Sequence, residues 1–276
     1  FHVLITKIDH GELRPVDVFS EKVQLGAGLR NGKLSASSIK KGLDCISRIA
    51  ELLTGISNTN IRAVGTNALR KAKNRQQFLE PAQDILGVPI EVIYGREEAR
   101  LVYLGVAHSL ADDSSSRLVT DIGGGSTEFI IGNKFEPRIL ESLQIGCVSF
   151  AEKYFPDGKI TKKAFQNAYD AAALEISHIS SSFVANGWAD CVGSSGTLQS
   201  IEAVAIVNGW IDSGINLEVL YRLKEYILLF KSFVYPIYVT DFFSIDFNIL
   251  SILFFSFFVD LTSLFFLTSF FFFLYF

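Results

Sequence analysis

Three consecutive glycines, Gly123 to Gly125, stand between two β-prone arms in RLVTDIGGGSTEFIIG, the stretch from Arg117 to Gly132. A short apolar run, Leu118 to Ile122, carries an acid at Asp121; after the glycines, Ser126 and Thr127 lead into a second run, Glu128 to Ile131. This pattern predicts a β-hairpin whose turn has almost no side chains. Glycine lets the backbone take φ values that other residues avoid and brings N–H groups close to a ligand. Converging N–H groups form an anion cradle, and the Ser126 and Thr127 hydroxyls add donors beside it. Asp121 and Glu128, one on each arm, offer hard oxygen ligands suited to Mg2+ held against a phosphate. A plain Gly-rich surface turn is the alternative, and acids on both arms weigh against it.

Four further motifs accompany DIGGGSTE in fixed order: RAVGTNALR (Arg62 to Arg70), GREEARLVYLGVAH (Gly95 to His108), GCVSF (Gly146 to Phe150) and VGSSGT (Val192 to Thr197). Together they resemble the exopolyphosphatase and guanosine pentaphosphate phosphatase family, over Phe1 to about Lys231. The resemblance implies an α/β chain with the actin-like, ribonuclease H-like two-lobed fold. It points to Glu98, the second acid of REEAR, as the base that activates water, and to Asp121 and Glu128 as the positions for Mg2+. The phosphate-binding set it implies is Arg70, the turn Gly123, Gly124, Gly125, Ser126 and Thr127, and the turn Gly193, Ser194, Ser195, Gly196 and Thr197. It also implies a homodimer. In the family a strand ending in a DxGSNS phosphate loop precedes the first strand seen here; the chain opens on Phe1-His2 and holds no Met, so a truncated N-terminus is expected.

Along the chain, Phe1 to Ile8 and Gly11 to Val23 read as two strands. Ser35 is placed to cap a helix carrying Ile39, Leu43, Ile46, Ile49 and Leu53 at helical spacing, stopped at Gly55. Ile61 to Thr66 predicts a strand that opens into a helix at Ala68, a junction of the kind where ligands meet backbone N–H groups. Arg70, Lys71, Lys73 and Arg75 gather just past it, and a solvated basic helix face is the plain account of all but Arg70. A helix over Gln76 to Leu86, a strand over Ile90 to Tyr94 and a helix over Arg96 to Leu110 follow, with Glu97 and Glu98 in the last helix's first turn, where the macrodipole favours acids. The polar run DDSSS, Asp112 to Ser116, marks the expected division: a first lobe over 1–112, a second over 113–231, and a tail over 232–276. In the second lobe the expected elements are a strand over Pro137 to Gln144, a short helix from Gly146-Cys147 and a long one capped by Thr161. A strand over Trp188 to Val192 and helices over Leu198 to Val207 and Asn216 to Lys231 complete it.

Composition bears on partners and compartment. The tail holds 14 of the 25 Phe between Phe242 and Phe276, and every Lys and Arg lies at or before Lys231. Without Asp241, Asp246 and Asp260 the rest has 26 acids against 25 bases, a balance that argues against a general nucleic-acid binder. Cys45, Cys147 and Cys191 form no CxxC pair, which suits a reducing cytoplasm and offers no metal site; Cys147 reads as a packing residue. The longest charge-free run of the tail, Leu261 to Phe276, is 16 residues, short of the roughly 20 a span needs. A window such as Leu250 to Ser269 tolerates one Asp, which leaves a membrane contact physically open. The abrupt change of composition favours an out-of-frame or read-through ending over an evolved anchor.

These features predict a Mg2+-dependent phosphoanhydride hydrolase. The stretch GNKFEPRILESLQIGCVSFAEKYFPDG, Gly132 to Gly158, leans toward exopolyphosphatase acting on inorganic polyphosphate. A guanosine pentaphosphate (pppGpp) 5'-phosphohydrolase, a kinase or ATPase of the same superfamily, and an inactive truncated product stand as the alternatives.

Overall fold

The computed structural model describes residues 1–10, 12–110 and 115–230, together with the backbone of a short strand at 272–274. Contacts divide the chain into two compact units, Phe1–Tyr94 and Gly95–Phe276.

In the first unit β1 (His2–Asp9) and β2 (Glu12–Ser20) pair antiparallel, with a register shift between Ile5 and Thr6. A smaller hairpin follows from β3 (Leu29–Arg30) and β4 (Lys33–Leu34). Helix α1 (Ala36–Leu52) starts where the sequence predicts: Ser35 Oγ accepts the Ser38 N–H at 3.2 Å and satisfies one of the orphan donors of the first turn. Its apolar stripe buries Cys45, Ile46 and Ile49 against α3 (Gln76–Leu86), and Gly42 lets the Phe78 ring lie close on the helix backbone. Between them β5 (Ala63–Gly65) runs into α2 (Asn67–Lys71), and β6 (Ile90–Val92) pairs parallel with β5. Gly87, at φ +69°, ends α3 in the left-handed conformation that favours glycine.

The second unit is built on one sheet. Helix α4 (Gly95–Ser109) precedes β7 (Ser116–Ile122), β8 (Thr127–Asn133) and β9 (Glu136–Leu143), which form an antiparallel meander. Then come α5 (Cys147–Tyr154), α6 (Lys162–Asn186), β10 (Asp190–Ser194), α7 (Gly196–Val207), α8 (Leu217–Phe230) and β11 (Phe272–Leu274). The strand order is β11-β10-β7-β8-β9, with β10 parallel to both β7 and β11. Thr161 caps α6 as expected, its Oγ1 accepting the Ala164 N–H at 3.0 Å.

Alternation along the strands gives the sheet two unlike faces. Leu118, Ile122, Phe129, Ile131 and Cys191 point to one side, where α6, α7 and α8 close the larger core with Phe165, Ile176, Leu198 and Leu223. Val119, Ile130 and Val192 point to the other, and α4 covers them with Ala99 and Tyr103. Tyr103 lies over Gly132, and its hydroxyl donates to the Lys134 carbonyl at 3.1 Å.

This packing sets the division between units one helix earlier than the DDSSS run suggests. The expected boundary at residue 112 assigns α4 to the first lobe, whereas its apolar face is buried against β7, β8 and β10. A polar linker reports where the chain is exposed; it does not report which neighbour buries the helix before it. Residues 111–114 of that run lie outside the described residues, as does the tail apart from β11. Among the described residues no helix is long and apolar enough to cross a membrane.

The fit of Tyr103 to Gly132 makes a test. A Cβ at Gly132 would collide with the Tyr103 ring and stand 2.7 Å from the Glu136 carbonyl oxygen, a backbone atom that cannot swing away. Gly132→Ala is therefore expected to lower stability by about 1–3 kcal/mol in denaturant unfolding; an unchanged midpoint would show that α4 does not seat there.

Candidate active site

Register places four polar side chains in one line across the sheet. Ser194 on β10 is opposite Asp121 on β7, Asp121 is opposite Glu128 on β8, and Glu128 is opposite Ser142 on β9. Partners directly opposite share a face, so the row Ser194, Asp121, Glu128, Ser142 lies on the side that α4 covers, next to the apolar row of Val192, Val119 and Ile130. Helix α4 begins beside this polar row, and the charge of Glu98 in its first turn is felt by both Asp121 and Glu128.

The electrostatics follow from burial and like charge. Glu128 is only 2% exposed, and loss of solvation, followed by the nearby Glu98, pushes its carboxyl up to about 7. Ser142 and Ser126 oppose that shift by hydrogen bonding; the Ser142 Oγ donates to Glu128 Oε1 at 2.7 Å. Asp121 is raised to about 6, first by burial and then by Glu98, against hydrogen bonds from Ser194 and Ser195. Two facing carboxyls thus resist ionisation, with a third acid beside them.

The glycine turn is held from behind. Gly123 closes it by donating its N–H to the Ser126 carbonyl at 2.9 Å. The first N–H groups of α5 are spent on it: Cys147 donates to the Gly123 carbonyl at 3.0 Å, and Val148 and Ser149 donate to that of Gly124 at 2.9 and 3.0 Å. Gly146, the residue before α5, packs its backbone directly on the Gly124–Gly125 peptide, where a Cβ would overlap it. The carbonyls of Gly123 and Gly124 are thereby turned toward α5, while Gly124 stays exposed at the tip.

The second turn is tied to the first. The Ser195 Oγ and Thr197 Oγ1 both donate to the Ile122 carbonyl, at 2.8 and 2.7 Å. Ser195 sits at φ +87°, ψ 162°, a conformation that strongly favours glycine, and such strain persists only where the surroundings enforce it. Helix α7 starts there without a side-chain cap, so its first N–H groups are available to water or an anion.

The expected phosphate set thus divides by what each group does. The hydroxyls of Thr127, Ser195 and Thr197 donate inward, that of Thr127 to the Ile145 carbonyl at 2.7 Å, and Ser126 is buried against Glu128. They brace the two turns. Backbone at Gly124 and Gly196, exposed on each turn, is what faces outward. Asp121, Glu128, Glu98, Ser194 and both glycine turns come together in the second unit. Arg70 belongs to the first unit, where its guanidinium donates to the Ile93 carbonyl at 2.9 Å. Cys147 is buried, in keeping with a packing role. Sequence reasoning missed Ser142 and the part played by Gly146; the β8–β9 register would have found the first, and the second lay unused within the quoted GCVSF.

The donor set fits Mg2+ in a particular way. Among the described residues no group of three or more His, Cys, Asp or Glu is arranged to hold a metal ion together. Two adjacent carboxylates with the rest of the shell from water and phosphate oxygens is the usual manner of binding for this ion. The opposing acids Asp121 and Glu128 supply that pair.

Comparison with known proteins decides the family: a model described as the Ppx/GppA phosphatase family matches residues 4–234. The chain belongs to the Ppx/GppA phosphatase family. It is 43% identical over 226 residues to a guanosine-5'-triphosphate,3'-diphosphate pyrophosphatase of Aliivibrio fischeri, covering 82% of this chain and 45% of that one. A protein of the same name from Vibrio parahaemolyticus is 42% identical over 230 residues, 83% of this chain and 46% of that one. The chain therefore spans a little under half the length of these relatives. Among solved structures, an exopolyphosphatase from Cytophaga hutchinsonii superposes with a TM-score of 0.80 at 21% identity, covering 94% of this chain and 86% of that one. The Aquifex aeolicus PPX-GPPA enzyme does so at 0.68 and 23%, covering 96% and 88%. At these identities the likeness shows the fold alone, a mixed α/β arrangement shared with these structures.

The raised carboxyls give a pH test. An unfolded Glu ionises near 4.3, whereas Glu128 in the folded chain holds its proton to about 7. Between those values the folded state binds more protons than the unfolded, so these acids make stability fall as pH rises through about 4 to 7 and level off above. Glu98→Gln removes the neighbouring negative charge. In metal-free buffer its melting temperature is expected to rise above wild type at pH 8, with the difference shrinking toward pH 4; a difference independent of pH would refute this account of the shifts.

Proposed function

We propose that this chain carries a phosphoanhydride hydrolase site that removes the terminal phosphate of guanosine pentaphosphate with the help of Mg2+. The observation that carries the reading is the Asp121–Glu128 pair opposite one another on β7 and β8, flanked by two glycine turns and by Glu98 at the start of α4.

In this reading Asp121 and Glu128 hold the ion, which supplies charge stabilisation to the phosphoryl oxygens when bound. The exposed backbone of the Gly123–Gly125 and Gly193–Thr197 turns meets the terminal phosphate. Glu98 accepts a proton from, or orients, the attacking water; an acid next to two others that are charge-compensated by substrate-bound metal is well placed to act as a base. Ser142 and Ser194 fix the rotamers of the two facing acids. A homodimer is part of the same proposal.

On substrate, the stretch Gly132 to Gly158, read alone, leans toward polyphosphate. The relatives at 42–43% identity carry the guanosine name, and this favours the nucleotide. The structures called exopolyphosphatase are about 21% identical and weigh on the fold alone.

Orthophosphate release from the two substrates tests both parts. The proposal expects a higher kcat/KM for guanosine pentaphosphate than for polyphosphate. It also expects Glu98→Gln to lower kcat by about 10²–10⁴-fold with substrate affinity kept. Unreduced turnover in the variant would remove Glu98 from the chemistry, and a preference for polyphosphate would return the reading to exopolyphosphatase.

A further inference from the structure

Two neighbouring residues of β9 serve the two sides of the carboxylate row. Ser142 holds Glu128, its Oγ donating to Glu128 Oε1 at 2.7 Å. The residue before it, Glu141, takes Arg96 from the first turn of α4, whose guanidinium donates to Glu141 Oε1 at 2.7 Å. Successive side chains of a strand alternate between faces, so Glu141 starts from the face away from Ser142 and α4. Arg96 meets it because β9 is the outermost strand in the order β11-β10-β7-β8-β9, and a long side chain can pass its outer edge.

Burial fixes α4 only from its second turn onward. Ala99 and Tyr103 are buried against the sheet, and the Tyr103 hydroxyl bonds the Lys134 carbonyl, whereas none of residues 95–98 is buried. Arg96 and Tyr103 stand two helical turns apart on one side of α4, and both lead to the β8–β9 ribbon, Tyr103 to its turn and Arg96 to the far end of β9. Two attachments along one side fix the roll of a helix about its axis. Glu98, two residues on from Arg96, projects roughly 160° around the helix from it. A roll of the first turn that releases Arg96 therefore moves Glu98 relative to Asp121 and Glu128.

We infer that Arg96 and Glu141 are a positioning pair that sets where Glu98 stands over the Asp121–Glu128 row, a role that rests on the reading of Glu98 as the base. The pair is exposed, 73% at Arg96 and 31% at Glu141, so it adds little to global stability. Its effect falls on the first turn of α4, where small displacements of a reacting group are costly to rate. Together Glu141 and Ser142 make β9 the element that spaces the base from the nearer of the two facing acids.

The test reads turnover and amide exchange in variants of the full chain: Arg96→Gln, Glu141→Gln, the two together, and the charge swap Arg96→Glu with Glu141→Arg. Arg222→Gln, which breaks the exposed Arg222–Glu218 pair on α8, is the control. Each single variant is expected to lower kcat for phosphate release about three- to fivefold, the range an exposed ion pair can supply, with KM unchanged. The double variant should lose no more than either single, and the swap should return to wild type within about 1.5-fold; the differences should fade at about 1 M salt, where the pair is screened. Hydrogen exchange in EDTA needs no turnover. The amides of residues 99–102 bond to the carbonyls of 95–98 and should exchange about three- to fivefold faster in the single variants, with residues 104–108 unmoved and wild-type rates in the swap and the control. Unchanged exchange in the single variants would overturn the pair. Single losses that multiply in the double, a raised KM with kcat kept, or a swap no better than the singles would overturn its positioning role. A wild type that releases no phosphate would sink the reading of Glu98 as the base, while exchange would still decide the pair.

Discussion

Two carboxyl groups face each other across neighbouring strands in a nearly dry part of the sheet, and most of the second unit follows from how that opposition is supported. Like charges directly opposite on a ladder are destabilising. Here the cost is met by keeping Glu128 and Asp121 at raised pKa values of about 7 and 6, and by bracing them with serines at both ends of the row. For Glu128 the shift from an ordinary 4.5 corresponds to roughly 3 kcal/mol against the ionised form. A fold seldom keeps such a charge conflict without a use for it, and a divalent cation held with phosphate would relieve it.

The rest of the unit supplies position. Alternation along β7, β8 and β10 sends Val119, Ile130 and Val192 to the same face as the acids, and α4 must cover these apolar residues. Covering them fixes the axis of α4, so that its first turn, with Glu98, falls at the polar row. On the far side the N–H groups of α5 hold the Gly123 and Gly124 carbonyls, and the hydroxyls of Ser195 and Thr197 converge on the Ile122 carbonyl. The two turns are therefore rigid for reasons that have nothing to do with a ligand, which is the condition for meeting one without reorganisation.

Much of this was legible in the sequence because it rests on local signals. The caps at Ser35 and Thr161, the helix stop at Gly87 and the glycine hairpin each follow from a few adjacent residues. The gathering of Asp121, Glu128 and Glu98 came through the order of motifs, since no local rule brings α4 to the sheet. What stayed hidden depended on register and on long-range packing. Ser142 meets Glu128 only because β9 pairs with β8 in one particular alignment, and α4 joins the second unit because of which surface buries it. For the hydroxyls of the two turns, composition shows that a donor is present without showing which protein acceptor it meets. At Thr127, Ser195 and Thr197 that acceptor is a backbone carbonyl.

The most direct test of the central claim is anomalous diffraction from crystals of the chain soaked in Mn2+ with a phosphate analogue, with Mn2+ standing in for Mg2+. The account predicts an anomalous peak in contact with the Asp121 and Glu128 carboxylates, beside the Gly123–Gly125 turn. A bound phosphate with the metal elsewhere, and these two acids untouched, would contradict it.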